Sequence, residues 1–160
     1  MDLPLSHPQA VHLPLGLCVI LPIFGAVVLA SWRRQWLPSR AWALVFLLQV
    51  LALVGGVVAM STGEAEEQRL EDRFPEEAIE GHEEMAETFV RATAGAALLG
   101  GAALCLHASP AGPWLALASV VSSGAGLIFA IRTGASGGEL VHRPGAAEQT
   151  RGHRSRERED

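Results

Sequence analysis

Four long stretches of this chain carry almost no charge, and that constrains its fold more than any other feature. Leu13–Trp32, Ala41–Thr62, Phe89–Leu106 and Trp114–Ile131 hold 20, 22, 18 and 18 residues, 78 of the 160, with Arg91 as their single charge. Crossing the hydrocarbon core of a bilayer takes about 20 predominantly apolar residues, with about 17 as the lower limit. All four stretches meet that length. The whole chain is 49% apolar and 18% charged, so a soluble globular fold is close to ruled out. The pattern predicts an all-α integral membrane protein built as a four-helix bundle. Its one domain runs over 1–146, with helices at about 13–32, 41–62, 76–106 and 114–132, followed by a disordered polar tail over 147–160.

The flanking charges predict an orientation. Three arginines (Arg33, Arg34, Arg40) follow the first stretch and none precedes it. Basic residues favour the cytoplasmic side, so that connection is expected inside and both termini outside. The tail opposes this reading, because Arg132, Arg143, Arg151, Arg154, Arg156 and Arg158 fall on the outer side. The first helix usually dominates. Trp32, Trp36, Trp42 and Trp114 suit the aromatic belt at the membrane interface. The connection Gly63–Thr88 carries 11 acids against two arginines. Within it, Pro75 suits a first helical position, and Glu76 and Glu77 suit the positive end of a helix dipole. Helix three is therefore expected to begin near Pro75 and to rise out of the membrane.

Several chemistries are excluded by residue type. The sequence has no Lys, Tyr or Asn. A Walker-type phosphate loop and a Schiff-base lysine both need Lys, and N-glycosylation needs Asn. Cys18 and Cys105 form no C-x-x-C pair. His82-Glu83-Glu84-Met85-Ala86 lacks the second His of a zinc-protease motif. No nucleophile–base pair can be read, so the chain is not expected to be an enzyme on its own. A net charge of −5 gives no reason to expect nucleic acid as a partner.

The helices are rich in small residues, and Ala97 to Gly101 and Ser122 to Gly126 have the spacing that lets membrane helices approach closely. The bundle is expected to be compact, and a homo-oligomer is open to such surfaces. Gln49, the one amide deep in helix two, is expected to bond across to another helix. A faint repeat is also present. His12 and His82 precede helices one and three, while Thr62-Gly63 and Thr133-Gly134 end helices two and four. This spacing admits two parallel two-helix repeats.

Six histidines complete the inventory. In a four-helix topology His7, His12, His82 and His142 fall on one side of the membrane and His107 on the other. Ionisable groups at the edge of membrane helices are candidates for function. Two imidazoles from different helices can ligate haem iron; three or four can hold copper or zinc. Pro8 and Pro14 suggest an extended entry, with Pro14 near the first helical position. The blander alternative makes these histidines amphipathic interfacial residues.

The runs His7-Pro8…His12-Leu13-Pro14-Leu15-Gly16, Thr62-Gly63 and Gly137-Gly138-Glu139-Leu140-Val141, with His82 before helix three, resemble a family of bacterial membrane proteins known as domain of unknown function 2231. The resemblance spans about residues 6–146. It departs at the closing motif, where the family pattern has Tyr and this chain has His142, and where the family has His and this chain has Pro144. Some family members stand beside or are fused to extracytoplasmic redox domains, so the resemblance implies a link to electron transfer on the outer face. The expectation is a multi-pass protein of the bacterial inner membrane, its histidine cluster facing outward. That cluster binds haem b, or alternatively copper or zinc, with His12 and His82 as first ligands and His7 and His142 as alternates. Its partners are then the lipid bilayer and extracytoplasmic redox proteins. The competing expectation is a cofactor-free structural or assembly subunit of a membrane complex.

Overall fold

The computed structural model describes residues 7–67 and 76–142, with side-chain detail for 11–63 and 80–135. Four α-helices make up these residues: α1 (His7–Arg33), α2 (Trp42–Glu67), α3 (Glu76–Cys105) and α4 (Gly112–His142), with one 3₁₀ turn at Ser39–Ala41 before α2. The polar tail expected over 147–160 lies outside the described residues.

Each helix holds a span long and apolar enough to cross a membrane: Val11–Arg33, Ser39–Gly63, Glu80–Cys105 and Gly112–Ala135. At 1.5 Å per residue, such spans of 23 to 26 residues reach about 34–39 Å, which exceeds a hydrocarbon core of about 30 Å. The distribution of polarity agrees. Large apolar side chains such as Ile23, Leu98 and Val121 point outward, while Gln49, Thr93, Ser119 and Ser123 are buried. A water-soluble bundle arranges these the other way round. The protein is an all-α four-helix bundle of the multi-pass membrane type.

The chain runs up, down, up, down. Each helix packs on its neighbours in sequence, and α1 closes the ring against α4. One core cluster gathers Leu21, Leu29, Trp32, Trp42, Val45 and Ala116. A smaller one, Cys18, Phe89 and Ala130, lies toward the amino-terminal end of α1. Close approach depends on glycine at defined places. A methyl group on Gly56 would stand 2.9 Å from the Phe89 ring, and one on Gly25 would stand 3.0 Å from Val120.

Three expectations about helix ends and side chains are corrected. First, α1 begins at His7, so Pro8 and His12 are helical and Pro14 and Pro22 lie within the helix. Each of these interior prolines removes one i→i−4 hydrogen bond and crowds the carbonyl four residues before it, and Gly55 on α2 leaves room for the Pro14 ring, whose Cδ would lie 3.2 Å from a Gly55 Cβ. Second, α2 and α4 pass through Thr62-Gly63 and Thr133-Gly134 without stopping. Gly ends a helix by adopting positive φ, and no described glycine does so. The Thr62 and Thr133 hydroxyls instead donate back to Ala59 O and Phe129 O, both at 2.9 Å. The paired stops of the repeat are therefore absent. Third, Trp32 and Trp42 belong to the core and not to an interfacial belt; Trp42 is 0% exposed.

Candidate functional site

The topology gives the bundle two chemically different ends. One end, the histidine end, collects the starts of α1 and α3 and the finishes of α2 and α4. It therefore holds the backbone positions of His7, His12, His82 and His142. The other, the arginine end, collects the α1–α2 and α3–α4 connections, with Arg33, Arg34, Arg40 and His107.

At the histidine end, His12 is exposed on α1 and His82 is half-buried on α3. His82 already takes part in an interaction. The side chains of His7 and His142 lie outside the described residues. Since α1 is helical from His7, the backbone positions of His7 and His12 are about 140° apart around its axis. α1 and α3 occupy opposite corners of the ring. Pro14 lies level with Gly55, and Phe89 lies against Gly56. His12 is two residues outward of Pro14, whereas His82 is seven residues outward of Phe89, or roughly 10 Å. His82 thus stands on the projecting part of α3, farther out than His12.

The donor chemistry fits a haem iron, copper or zinc, because neutral imidazoles suit all three. Among the described residues, no group of three or more His, Cys, Asp or Glu side chains gathers as metal ligands. A three-nitrogen site would need His7 or His142 beside His12 and His82. Around His82, Glu80, Glu83 and Glu84 are exposed and form a solvated acidic face. Arg91 donates to Glu87 at 2.7 Å one turn on.

Halfway along the bundle lies a buried polar network. Gln49 is 0% exposed. Its Nε2 donates to Ser119 Oγ at 2.7 Å and to Ser123 Oγ at 3.1 Å, which ties α2 to α4 across the bundle. The Ser119 hydroxyl in turn donates to Ala96 O, and that of Ser123 to Ser119 O, both at 2.9 Å. Both serine protons are thereby committed to carbonyls. That fixes the amide: the serines can only accept from it, so Nε2 must face them. Oε1 then has no donor; it lies beside Gly100, where a side chain would collide with it. A cavity of about 10 Å³ lies among Cys18, Gln49, Thr93, Ala96, Ser123 and Gly126, at the lower limit of what one water needs. The interhelical bond expected of Gln49 is present, and its serine partners came from the small-residue stripe. Trp42 adds a further tie, its Nε1 donating to Gly100 O at 3.1 Å. The aromatic-belt rule hid this role, because it does not say which face of a helix a tryptophan occupies.

At the arginine end, the guanidinium of Arg33 lies 5.5 Å from the Trp114 ring centre, and that of Arg34 lies 5.1 Å from the Trp36 ring centre. Ser39 Oγ and His107 Nδ1 share a hydrogen bond of 3.0 Å that joins the two connections. Sequence reasoning set His107 aside; its partner is 68 residues away, and no local pattern announces it. No family model matches the chain, and neither a curated protein nor a solved structure does.

Proposed function

We propose that this multi-pass protein sits in the bacterial inner membrane with its histidine end outward, and that this end binds haem b or a metal ion for electron transfer. One observation carries the reading: the up-down-up-down order brings His7, His12, His82 and His142 to the same end of the bundle, although they span 136 positions of sequence. His12 and His82 are the first ligands, with His7 and His142 as alternates. The resemblance of His7–Pro14 and Gly137–Val141 to the family known as domain of unknown function 2231 supports the same assignment, and with it an extracytoplasmic redox partner.

A bound haem or copper supplies a one-electron redox change. The chain's own residues supply the rest. The imidazoles of His12 and His82 offer ring nitrogens from two different helices, so binding would tie α1 to α3, which stand at opposite corners of the ring. The exposed Glu80, Glu83 and Glu84 give this end a negative field, which speeds encounter with a basic partner and weakens as salt rises.

The second reading is a cofactor-free structural or assembly subunit. It is favoured by the existing interaction of His82 and by the Gln49–Ser119–Ser123 network, which holds the bundle together with side chains alone.

A dithionite-reduced minus oxidised spectrum of the purified protein, with elemental analysis of the same sample, separates these. Near-stoichiometric haem bands, or a stoichiometric metal, support the proposal. The paired His12→Ala/His82→Ala variant then loses the cofactor while keeping its helical content. A colourless, metal-free protein, expressed with haem and metals supplied, leaves the subunit reading standing. Unchanged cofactor in the paired variant removes these two histidines as ligands.

A further inference from the structure

We infer that the arginine end holds the headgroup of an anionic glycerophospholipid, at a site built on Arg33 and Trp114 where α1 meets α4. The inference is independent of any cofactor at the opposite end.

Charge is the first argument. Arg33, Arg34 and Arg40 are all exposed at this end. Every described acid, from α2, α3 and α4 alike, lies at the other end. The titratable groups that other elements bring to this end are His107, which bonds Ser39 at 3.0 Å, and the exposed Cys105. Nothing described here neutralises the three guanidiniums from within the protein.

Geometry is the second argument. Arg33 ends α1, and its guanidinium lies over Trp114 at the start of α4. Arg34 lies likewise over Trp36. The N–H groups of a guanidinium lie in its plane, where they match phosphate oxygens in pairs. Two guanidiniums thus each lie within cation–π range of an exposed indole at this end. The Ser39–His107 bond fixes the two connections beside each other, which limits how far this surface can rearrange.

Depth is the third argument. Trp36 and Trp114 are 71% and 63% exposed, and exposed tryptophan at a helix end belongs at headgroup level. Below Arg33 and Trp114, the outward faces of α1 and α4 present Ile23, Val27, Leu117 and Val121. Acyl chains fit that surface while the phosphate meets the arginines.

The test is native mass spectrometry of the full-length protein in detergent, titrated with phosphatidylglycerol and, separately, with phosphatidylcholine of the same acyl chains. The first phosphatidylglycerol is expected to bind at least about tenfold more tightly than phosphatidylcholine. Arg33→Gln/Arg34→Gln should weaken it by about fivefold for each arginine removed. Arg132→Gln, at the opposite end, should leave it unchanged. Equal binding of the two lipids overturns the proposal. So does an equal loss on Arg132→Gln, which would mean diffuse attraction and no site. If the paired variant does not fold, Arg40→Gln and Arg33→Lys replace it. The lysine keeps the charge but not the planar pair of donors, so an unchanged affinity in both variants also overturns the site.

Discussion

The amide of Gln49 is the residue on which the middle of the bundle turns. Replacing it removes two hydrogen bonds but strands no donor, because Ser119 and Ser123 already give their protons to Ala96 O and Ser119 O. Interhelical side-chain bonds in membranes contribute around 1 kcal/mol or less. Gly100 is the stricter position. A Cβ there would run into Gln49 Oε1 and stand 3.2 Å from Ser119 Oγ, and the amide cannot swing aside without leaving its serines. Gly100→Ala is expected to destabilise the protein by about 1–3 kcal/mol, the range for overpacking, despite alanine's better helix propensity. In a Gln49→Ala background the same change should cost at least about 0.5 kcal/mol less, because the collision with Oε1 is gone and only the 3.2 Å approach to Ser119 Oγ remains. Thermal unfolding of the four proteins in one detergent measures this coupling, and equal costs in both backgrounds would refute the collision. Sequence alone made Gln49 legible, since a lone amide in an apolar helix must find a partner. It did not reveal Gly100, because nothing local distinguishes that glycine from Gly101 or Gly95.

Helix existence was plain from the apolar stretches; helix ends were not, and the reason is backbone conformation. Thr62-Gly63 and Thr133-Gly134 read as stops because glycine often terminates helices, yet these glycines stay right-handed. The real terminator of α1 is Gln35, the one described non-glycine residue at positive φ, 60°. Around it, Trp36 N donates to Ser31 O at 2.9 Å and Gln35 N to Trp32 O at 3.0 Å. These are the two bonds of a Schellman end, with Gln35 where glycine is usual. Pro38 follows and blocks continuation. The left-handed conformation costs a side-chain-bearing residue about 1–2 kcal/mol, part of which glycine forfeits through its freer unfolded state. Gln35→Gly is therefore expected to stabilise the protein by up to about 1 kcal/mol, seen as a higher unfolding midpoint in detergent. A lower midpoint would show that the Gln35 Nε2 contact to Trp32 O, 3.3 Å, outweighs the backbone strain. Trp32, in the last turn of α1, faces inward toward Trp42, their ring centres 6.3 Å apart. Sequence-based placement of both tryptophans at the interface missed this.

At the scale of the whole molecule, the two ends differ in chemistry, and which end faces the cytoplasm decides what each can meet. The candidate site was legible as a set of histidines on one side, because alternation of four helices fixes the side of every connection. Its internal geometry was not legible, since the relative depth of His12 and His82 depends on how far α3 projects. Orientation rests on the arginines of the α1–α2 connection, and two native cysteines allow a direct check. Cys18 is buried and Cys105 is exposed at the last residue of α3, at the arginine end. A membrane-impermeant maleimide is therefore expected to label the protein at Cys105 alone. With the arginine end in the cytoplasm, labelling occurs in inverted membrane vesicles and not in intact cells. Ser109→Cys, in the exposed α3–α4 connection, extends the test beyond the depth of Cys105 and should follow the same pattern. Cys105→Ser should abolish the native signal. Labelling from the outside of intact cells would place the arginine end outward and turn the histidines toward the cytoplasm. The extracytoplasmic redox reading would then fall, while the lipid site at Arg33 and Trp114, which depends on the bundle and not on its direction, would stand.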